Sequence, residues 1–229
     1  MKLAILTPSC RNPEWEYVKS VLAMEEYIRS NGVLGAKIEF MGRLPLWQNS
    51  LLPQGRQILH DGAIELGMTH ALWLDDDMEV PHNLMDYLAR HFDTPIDDSP
   101  SNPKYPGIIG ANYVRKDERA MYTAVKGGAV ISSDPPNTGL QEVDDCAMGC
   151  MLVDLEAVKH IRPPHFEILW DKKLETYRGE DRYFCNKMAR AGVRVYIDHD
   201  VSRLVEHIGT CRYGYKMRKQ AEVSCAIPK

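Results

Sequence analysis

The chain has 229 residues, 44% of them hydrophobic and 26% charged, with a formal net charge of −4 and an isoelectric point near 6.1. This length supports one sizeable α/β domain and does not require a second. The acidic balance excludes a global basic footprint for nucleic acid, and no low-complexity tract, short repeat or heptad run points to a fibrous or disordered class.

Lys2 to Leu6 reads as a buried strand ending in the polar turn Thr7-Pro8-Ser9-Cys10-Arg11-Asn12. Ligands bind at such carboxyl ends in open α/β sheets. The opening apolar run stops at Thr7, too short for a signal peptide or a membrane span, which predicts a cytoplasmic protein with no membrane partner. A helix is expected from about Pro13 to Ser30, with Trp15, Val18, Leu22 and Ile28 on its inner face, then a strand from Ala36 to Met41. A second helical pattern runs through Leu52, Gly55, Leu59, Ala63 and Leu66 to Gly67, with Arg56 one turn in. The preceding Trp47, Gln48 and Asn49 suit either a nucleobase or a buried loop.

The stretch Ala71 to Pro81, ALWLDDDMEVP, carries the densest chemistry. Its apolar start has the pattern of a central strand buried on both faces, and Asp75, Asp76 and Asp77 follow where that strand leaves the sheet. Residues i and i+2 of an extended chain point the same way, so Asp75 and Asp77 form a D-x-D pair facing one site. Two like charges so close repel unless a cation lies between them, which suggests a divalent metal on oxygen ligands. A solvated acidic turn is the alternative reading.

Pro81 opens a third helix with Leu84, Tyr87 and Leu88 inward, and residues 93–106 read as a surface loop. The strand Gly107 to Val114 delivers Arg115 and Lys116, two cations suited either to a diphosphate or to a solvated surface. Met121 to Ile131 reads as a β-ribbon broken at Gly127-Gly128. In DDCAMGCMLV a turn feeds an apolar strand, with Gly149 allowing close backbone approach to a ligand, and Asp154 reads as the N-cap of a short helix. Gly179-Glu180-Asp181 opens another helix with Phe184, Met188 and Ala191 inward; capping is the alternative role for both acids. After a strand from Val193 to Ile197 come Glu206-His207-Ile208-Gly209 and a basic, aromatic-interleaved tail from Arg212 to Lys219. The six cysteines are expected to be mostly reduced and buried, and Cys146 and Cys150 lack partners at zinc-finger spacing.

Four features, TPS after the first strand, the D-x-D in LWLDDDMEVP, GEDRYFCNKMARAGVRVYID and EHIG, resemble in order and spacing the nucleotide-sugar glycosyltransferases of the GT-A fold, most nearly the compact family-2-like enzymes of bacteria and phages. The resemblance runs from Met1 to about Gly209. It implies an α/β fold in which a mixed, mainly parallel sheet is flanked by helices in a single domain, residues 1–209. A nucleotide-sugar-binding half, 1–115, would precede an acceptor and metal-closing half, 116–209, and residues 210–229 would follow as a basic tail acting as a lid.

The resemblance also implies site roles. Asp75, Asp77 and His207 would hold Mn²⁺ or Mg²⁺, and Asp181, with Glu180, would act on the acceptor hydroxyl. Thr7, Pro8, Arg11, Arg56 and Asp75 would contact the donor, joined by Lys116 and Gly149 from the residue-level reading. The implied reaction moves a sugar from a nucleoside-diphosphate sugar to a hydroxyl on a glycan, a small molecule or a hydroxymethylated base in phage DNA, in the host cytoplasm if phage-encoded. One departure is that KIEFMGRL offers no acidic residue beyond Glu39 to receive the base. Two rivals are a haloacid-dehalogenase-type phosphatase with Asp75 as nucleophile and a non-catalytic nucleotide-sugar-binding module. Met78-Glu79 in place of the usual Gly-Thr weighs against the first, and Asp181 with His207 against the second.

Overall fold

The computed structural model describes residues 1–229 apart from 11, 35, 47–48, 93–105, 117–119, 174, 210–211 and 217–229. Leu3 to Leu6, fully buried, carry strand β1 (Lys2–Pro8), which continues two residues past the expected end. Helix α1 (Trp15–Asn31) buries Tyr17, Val21, Met24 and Ile28, whereas Trp15 (64% exposed) and Leu22 face solvent, correcting the expected inner face. Apolar residues occur on more than one side of this helix, so periodicity admits two stripes and packing decides between them. Strand β2 (Phe40–Leu46) lies later than the expected 36–41. It contains Pro45, which an edge strand tolerates because only one side of its backbone is paired.

Helix α2 (Leu52–Glu65), strands β3 (His70–Leu74) and β4 (Met78–Glu79), helix α3 (Leu84–Leu88) and strand β5 (Ile108–Gly110) follow. Gly127 and Gly128, at φ of 59° and 80°, form the expected turn between β6 (Val125–Lys126) and β7 (Ala129–Val130). Paired positive φ values suit the right-handed twist of a hairpin. Strands β8 (Leu140–Val143) and β9 (Cys150–Asp154) precede α4 (Leu155–Val158), capped as expected by Asp154, which accepts from the amides of Glu156 and Ala157. A hairpin that the sequence reading did not assign, β10 (Leu169–Asp171) with β11 (Thr176–Arg178), leads into α5 (Glu180–Arg190). Strand β12 (Val195–Asp198), helix α6 (His199–Ser202) and strands β13 (Glu206–Ile208) and β14 (Arg212–Tyr213) come last.

A seven-stranded sheet, ordered β2-β1-β3-β9-β5-β12-β8, organises these elements. Strands β1, β2, β3, β5 and β12 share one direction, with β9 and β8 reversed. This is the mixed, mainly parallel α/β sheet expected of the GT-A fold. Alternation along β1 and β3 splits the core: Leu3, Ile5, Leu72 and Leu74 pack with α1 and α3, while Ala4, Leu6, Ala71 and Trp73 pack with α2, α4 and α5. Arg212–Tyr213, assigned to the tail from sequence, instead pair as β14 in a small sheet with β13 and β4. The remainder of the expected lid from 217 onward lies outside the described residues. Cys146, Cys150 and Cys185 are buried free thiols and Cys10 is exposed. No helix among the described residues is long and apolar enough to cross a membrane.

Candidate active site

Strands β1 and β3 end, and β9 begins, at one edge of the main sheet, and the acidic run sits there. The Asp75 amide donates to the Gly149 carbonyl at 3.0 Å, which fixes the exit of β3 against the entry of β9. Asp76 points away from its neighbours, as expected: its buried carboxylate accepts from the Ser9 hydroxyl, and its carbonyl accepts from the Glu14 amide at 2.9 Å. The middle aspartate therefore ties the β1 turn to the acidic run.

Arg56, expected to contact the donor, is 2% exposed and is turned to two carboxylates of the protein. Its Nη2 donates to both oxygens of Asp75 at 3.0 and 3.1 Å, its Nε donates to Glu180 at 3.1 Å, and its guanidinium lies 5.4 Å from the Trp73 ring centroid. Burial pushes the Asp75 carboxyl above its ordinary range; Arg56 offsets this, while the charges of Asp77 and Glu180 add to it. Glu180, expected near the acceptor, serves as the second anchor of Arg56. Thr7 and Pro8 are buried, and the Thr7 hydroxyl shares a 2.6 Å hydrogen bond with the Tyr17 hydroxyl. Their side chains shape the turn from inside. Arg11 lies outside the described residues.

The register of β13 on β4 pairs His207 with Met78, and the Ile208 amide donates to the Asp77 carbonyl at 2.7 Å. That ladder carries His207 Nε2 to 3.4 Å from Asp77 Oδ1, while Lys116 Nζ donates to Oδ2 at 2.5 Å. Burial alone would raise the Asp77 carboxyl, but His207 and Lys116 bring it down to about 2. The expected metal triad is thus divided: Asp77 and His207 stand together, and Asp75 is turned to Arg56. A carboxylate oxygen is a ligand for hard divalent ions and one imidazole beside it is tolerated by Mn²⁺ or Mg²⁺, so the Asp77–His207 pair fits such an ion.

The close approach expected at Gly149 is made by a side chain of the protein itself. A Cβ at Gly149 would lie 2.4 Å from the Tyr113 hydroxyl, which accepts from the Gly149 amide at 3.1 Å. The Tyr113 ring also meets His207 edge-on at 5.3 Å, so one tyrosine props both the β9 entry and the histidine.

Lys116 and His207 line one side of an open cleft of about 410 Å³, and Asp181 lines it too. Asp181 occupies the first turn of α5, where burial, followed by the neighbouring Glu180 charge, raises its carboxyl pKa. Arg115, Tyr177, Arg178 and Arg182 complete much of the wall. The sequence reading missed Tyr113, Tyr177, Arg178 and Arg182 as site residues. The available signal was the alternation Thr176-Tyr177-Arg178 immediately before Gly179-Glu180-Asp181. Arg182 is held by Asp145 at 3.1 Å, and Arg178 pairs with Asp171.

No protein-family model and no curated protein sequence matches the chain. Among solved structures it is similar to A197 from STIV, with a TM-score of 0.56 and 16% identity over 91% of this chain and 86% of that one. Looser likenesses are to a Drosophila galactosyltransferase mutant in complex with manganese, UDP-Gal and xylobiose (TM-score 0.49, 14% identity, 92% of this chain and 72% of that one). A glycosyltransferase involved in the glycosylation of the major capsid of PBCV-1 also matches (0.44, 16%, 99% and 100%). At 16% identity the likeness to A197 establishes a shared fold.

Proposed function

We propose that the chain is a nucleotide-sugar-dependent glycosyltransferase. The observation that carries this reading is that Lys116 and His207, both in contact with Asp77, share one open cleft with Asp181. Charge-neutralising groups and a carboxylate of raised pKa then face one substrate volume. The donor diphosphate lies toward Lys116 and Arg115, and the acceptor lies toward Asp181 and Tyr177.

Asp181 takes the proton of the acceptor hydroxyl as its oxygen bonds to the anomeric carbon; the carbon–oxygen bond to the diphosphate breaks, and its electron pair leaves with the diphosphate. A raised pKa makes Asp181 a stronger base than an ordinary aspartate. Lys116 neutralises charge developing on the leaving group. A Mn²⁺ or Mg²⁺ ion held by Asp77 and His207 would supply Lewis-acid stabilisation of the same group. Arg56 fixes Asp75 and Glu180 relative to one another and so ties the exit of β3 to the start of α5, which carries Asp181. The phosphatase alternative loses support because Asp75, its required nucleophile, has both oxygens engaged by Arg56.

The test is calorimetric binding of a panel of nucleotide sugars, with and without Mn²⁺, to the wild type and to Asp77→Ala, followed by transfer assays on glycan, small-molecule and hydroxymethylated-DNA acceptors. Metal-dependent binding of one donor, lost in Asp77→Ala, together with transfer to one acceptor class supports the reading. Absence of binding to every donor removes it.

A further inference from the structure

Away from the cleft, α2 carries a second constellation. His60 is fully buried, and neither of its ring nitrogens has a hydrogen-bond partner among the described residues. Leaving a buried polar group unsatisfied is destabilising, so its presence calls for an account. His165, 3% exposed, packs beside it with ring centroids 4.5 Å apart. His165 Nε2 donates to the Ile161 carbonyl at 2.8 Å, which leaves Nδ1 as the lone-pair nitrogen. Metal-bound histidines are oriented in the same way, with the other ring N–H given to a carbonyl or carboxylate. Gln57 Nε2 donates to that Nδ1 at 2.9 Å and to Asp61 Oδ1 at 2.8 Å, so a single amide nitrogen serves two acceptors. One ligand atom from each of His60, Asp61 and His165 lies within 4.8 Å of the others.

We propose that His60, Asp61 and His165 form a zinc site in which the ion displaces the Gln57 amide and clips the segment around His165 onto α2. Two imidazoles and one carboxylate form a borderline donor set that selects Zn²⁺ over Mg²⁺ or Ca²⁺. Asp61 is exposed, so water reaches the fourth position, as in zinc sites with three protein ligands. Zinc bonds of roughly 2.0–2.1 Å draw the ligand atoms closer than they now stand. The exposed Asp61 supplies much of that closure once Gln57 turns outward, which also releases its Oε1 from the His165 backbone amide that now donates to it at 2.8 Å. Phe166, next to His165, stacks on Phe184 of α5 at 5.1 Å and 7°, so the clip also ties α2 to the helix that begins with Glu180 and Asp181. The role is structural and does not depend on the transferase reading.

The experiment uses the full chain carrying Asp77→Ala, which breaks the Asp77–His207 pair of the cleft, after chelator stripping and dialysis. Zn²⁺ is titrated by calorimetry and by thermal unfolding, and Co²⁺ by its visible absorption. A single zinc ion per chain, an upward shift in Tm and an intense tetrahedral Co²⁺ spectrum are expected. Asp61→Asn, an exposed and isosteric change, is expected to weaken Zn²⁺ binding at least about tenfold without altering the metal-free Tm, and His165→Gln to abolish it. Binding of equal affinity in Asp61→Asn, or no zinc-dependent Tm shift in the parent, overturns the proposal. Should His165→Gln not fold, Asp61→Asn decides alone.

Discussion

Lys116 Nζ stands 2.5 Å from Asp77 Oδ2, on the oxygen opposite the one that His207 approaches at 3.4 Å. One carboxylate is thereby shared between an ammonium and an imidazole, which together hold its pKa down to about 2 against the effect of burial. Lys116→Met, at a partly exposed position, is expected to lower the transfer rate by about 10²–10³-fold with little effect on folding. Because a competing cation is removed from Asp77, Mn²⁺ is expected to bind at least as tightly as in the wild type. Single-turnover kinetics beside Mn²⁺ calorimetry separate the two effects; an unchanged rate would exclude Lys116 from leaving-group stabilisation.

Asp181→Asn is expected to bind donor normally while losing transfer by about 10²–10⁴-fold. The raised pKa of Asp181 also sets a sign for pH dependence: the rate falls as pH drops below that pKa, where the carboxyl is protonated. A pH–rate profile of kcat/KM for the wild type should show this acid limb, and the limb should be absent from Asp181→Asn. Persistence of the same limb in the variant would assign it to another group.

Arg56→Met leaves Asp75 and Glu180 without their shared cation in a largely buried setting. Breaking such a pair costs about 3 kcal/mol, the low end of the usual range because Asp75 keeps partial exposure. Urea unfolding of the variant against wild type measures this. The loss should be smaller in Arg56→Met with Glu180→Gln than the sum of the two single changes. Strict additivity would show that Arg56 and Glu180 are not energetically coupled.

Asp198, fully buried, accepts from Arg90 at 3.0 Å, His91 at 2.8 Å and the amides of Asp200 and Val201 at 2.8 and 3.0 Å. Burial alone would raise its pKa, but the hydrogen bonds from His91 and the Val201 amide and the charge of Arg90 lower it. A depressed carboxylate pKa contributes stability above the unfolded value near pH 4, and that contribution is lost as pH falls through the native value. Asp198→Asn is therefore expected to be less stable than wild type at neutral pH by roughly 1.5–3 kcal/mol, with the gap closing in acid. Thermal unfolding across pH 2 to 7 tests it, and a gap of constant size would refute the linkage.

The parts of the fold and site legible in the sequence were those encoded locally. The buried strand ALWL, the Asp154 cap and the Gly127-Gly128 turn each rest on residues within a few positions of one another. The burial of Arg56 was not legible, because it depends on Asp75 and on Glu180, which stands 124 positions away. A cation one turn into a helix reads as exposed until both carboxylates are known to converge on it. The position of β2 was not legible for a related reason: it contains Pro45, and a proline fits a strand only where that strand lies at a sheet edge. The Tyr113 prop under Gly149 escaped notice because a glycine signals that something comes close without saying what does.

The insertion of β9 between β3 and β5 bears on how the molecule is made. As the chain leaves the ribosome, β3 has β1 on one flank and an open apolar edge on the other until Cys150–Asp154 has been synthesised. Such an edge is a template for unwanted strand pairing, and non-local closure of this kind is slow. A fragment ending at Val114 is accordingly expected to precipitate or to be captured by chaperones. Recovery of a monodisperse, cooperatively unfolding fragment would show that the earlier strands close on themselves without β9.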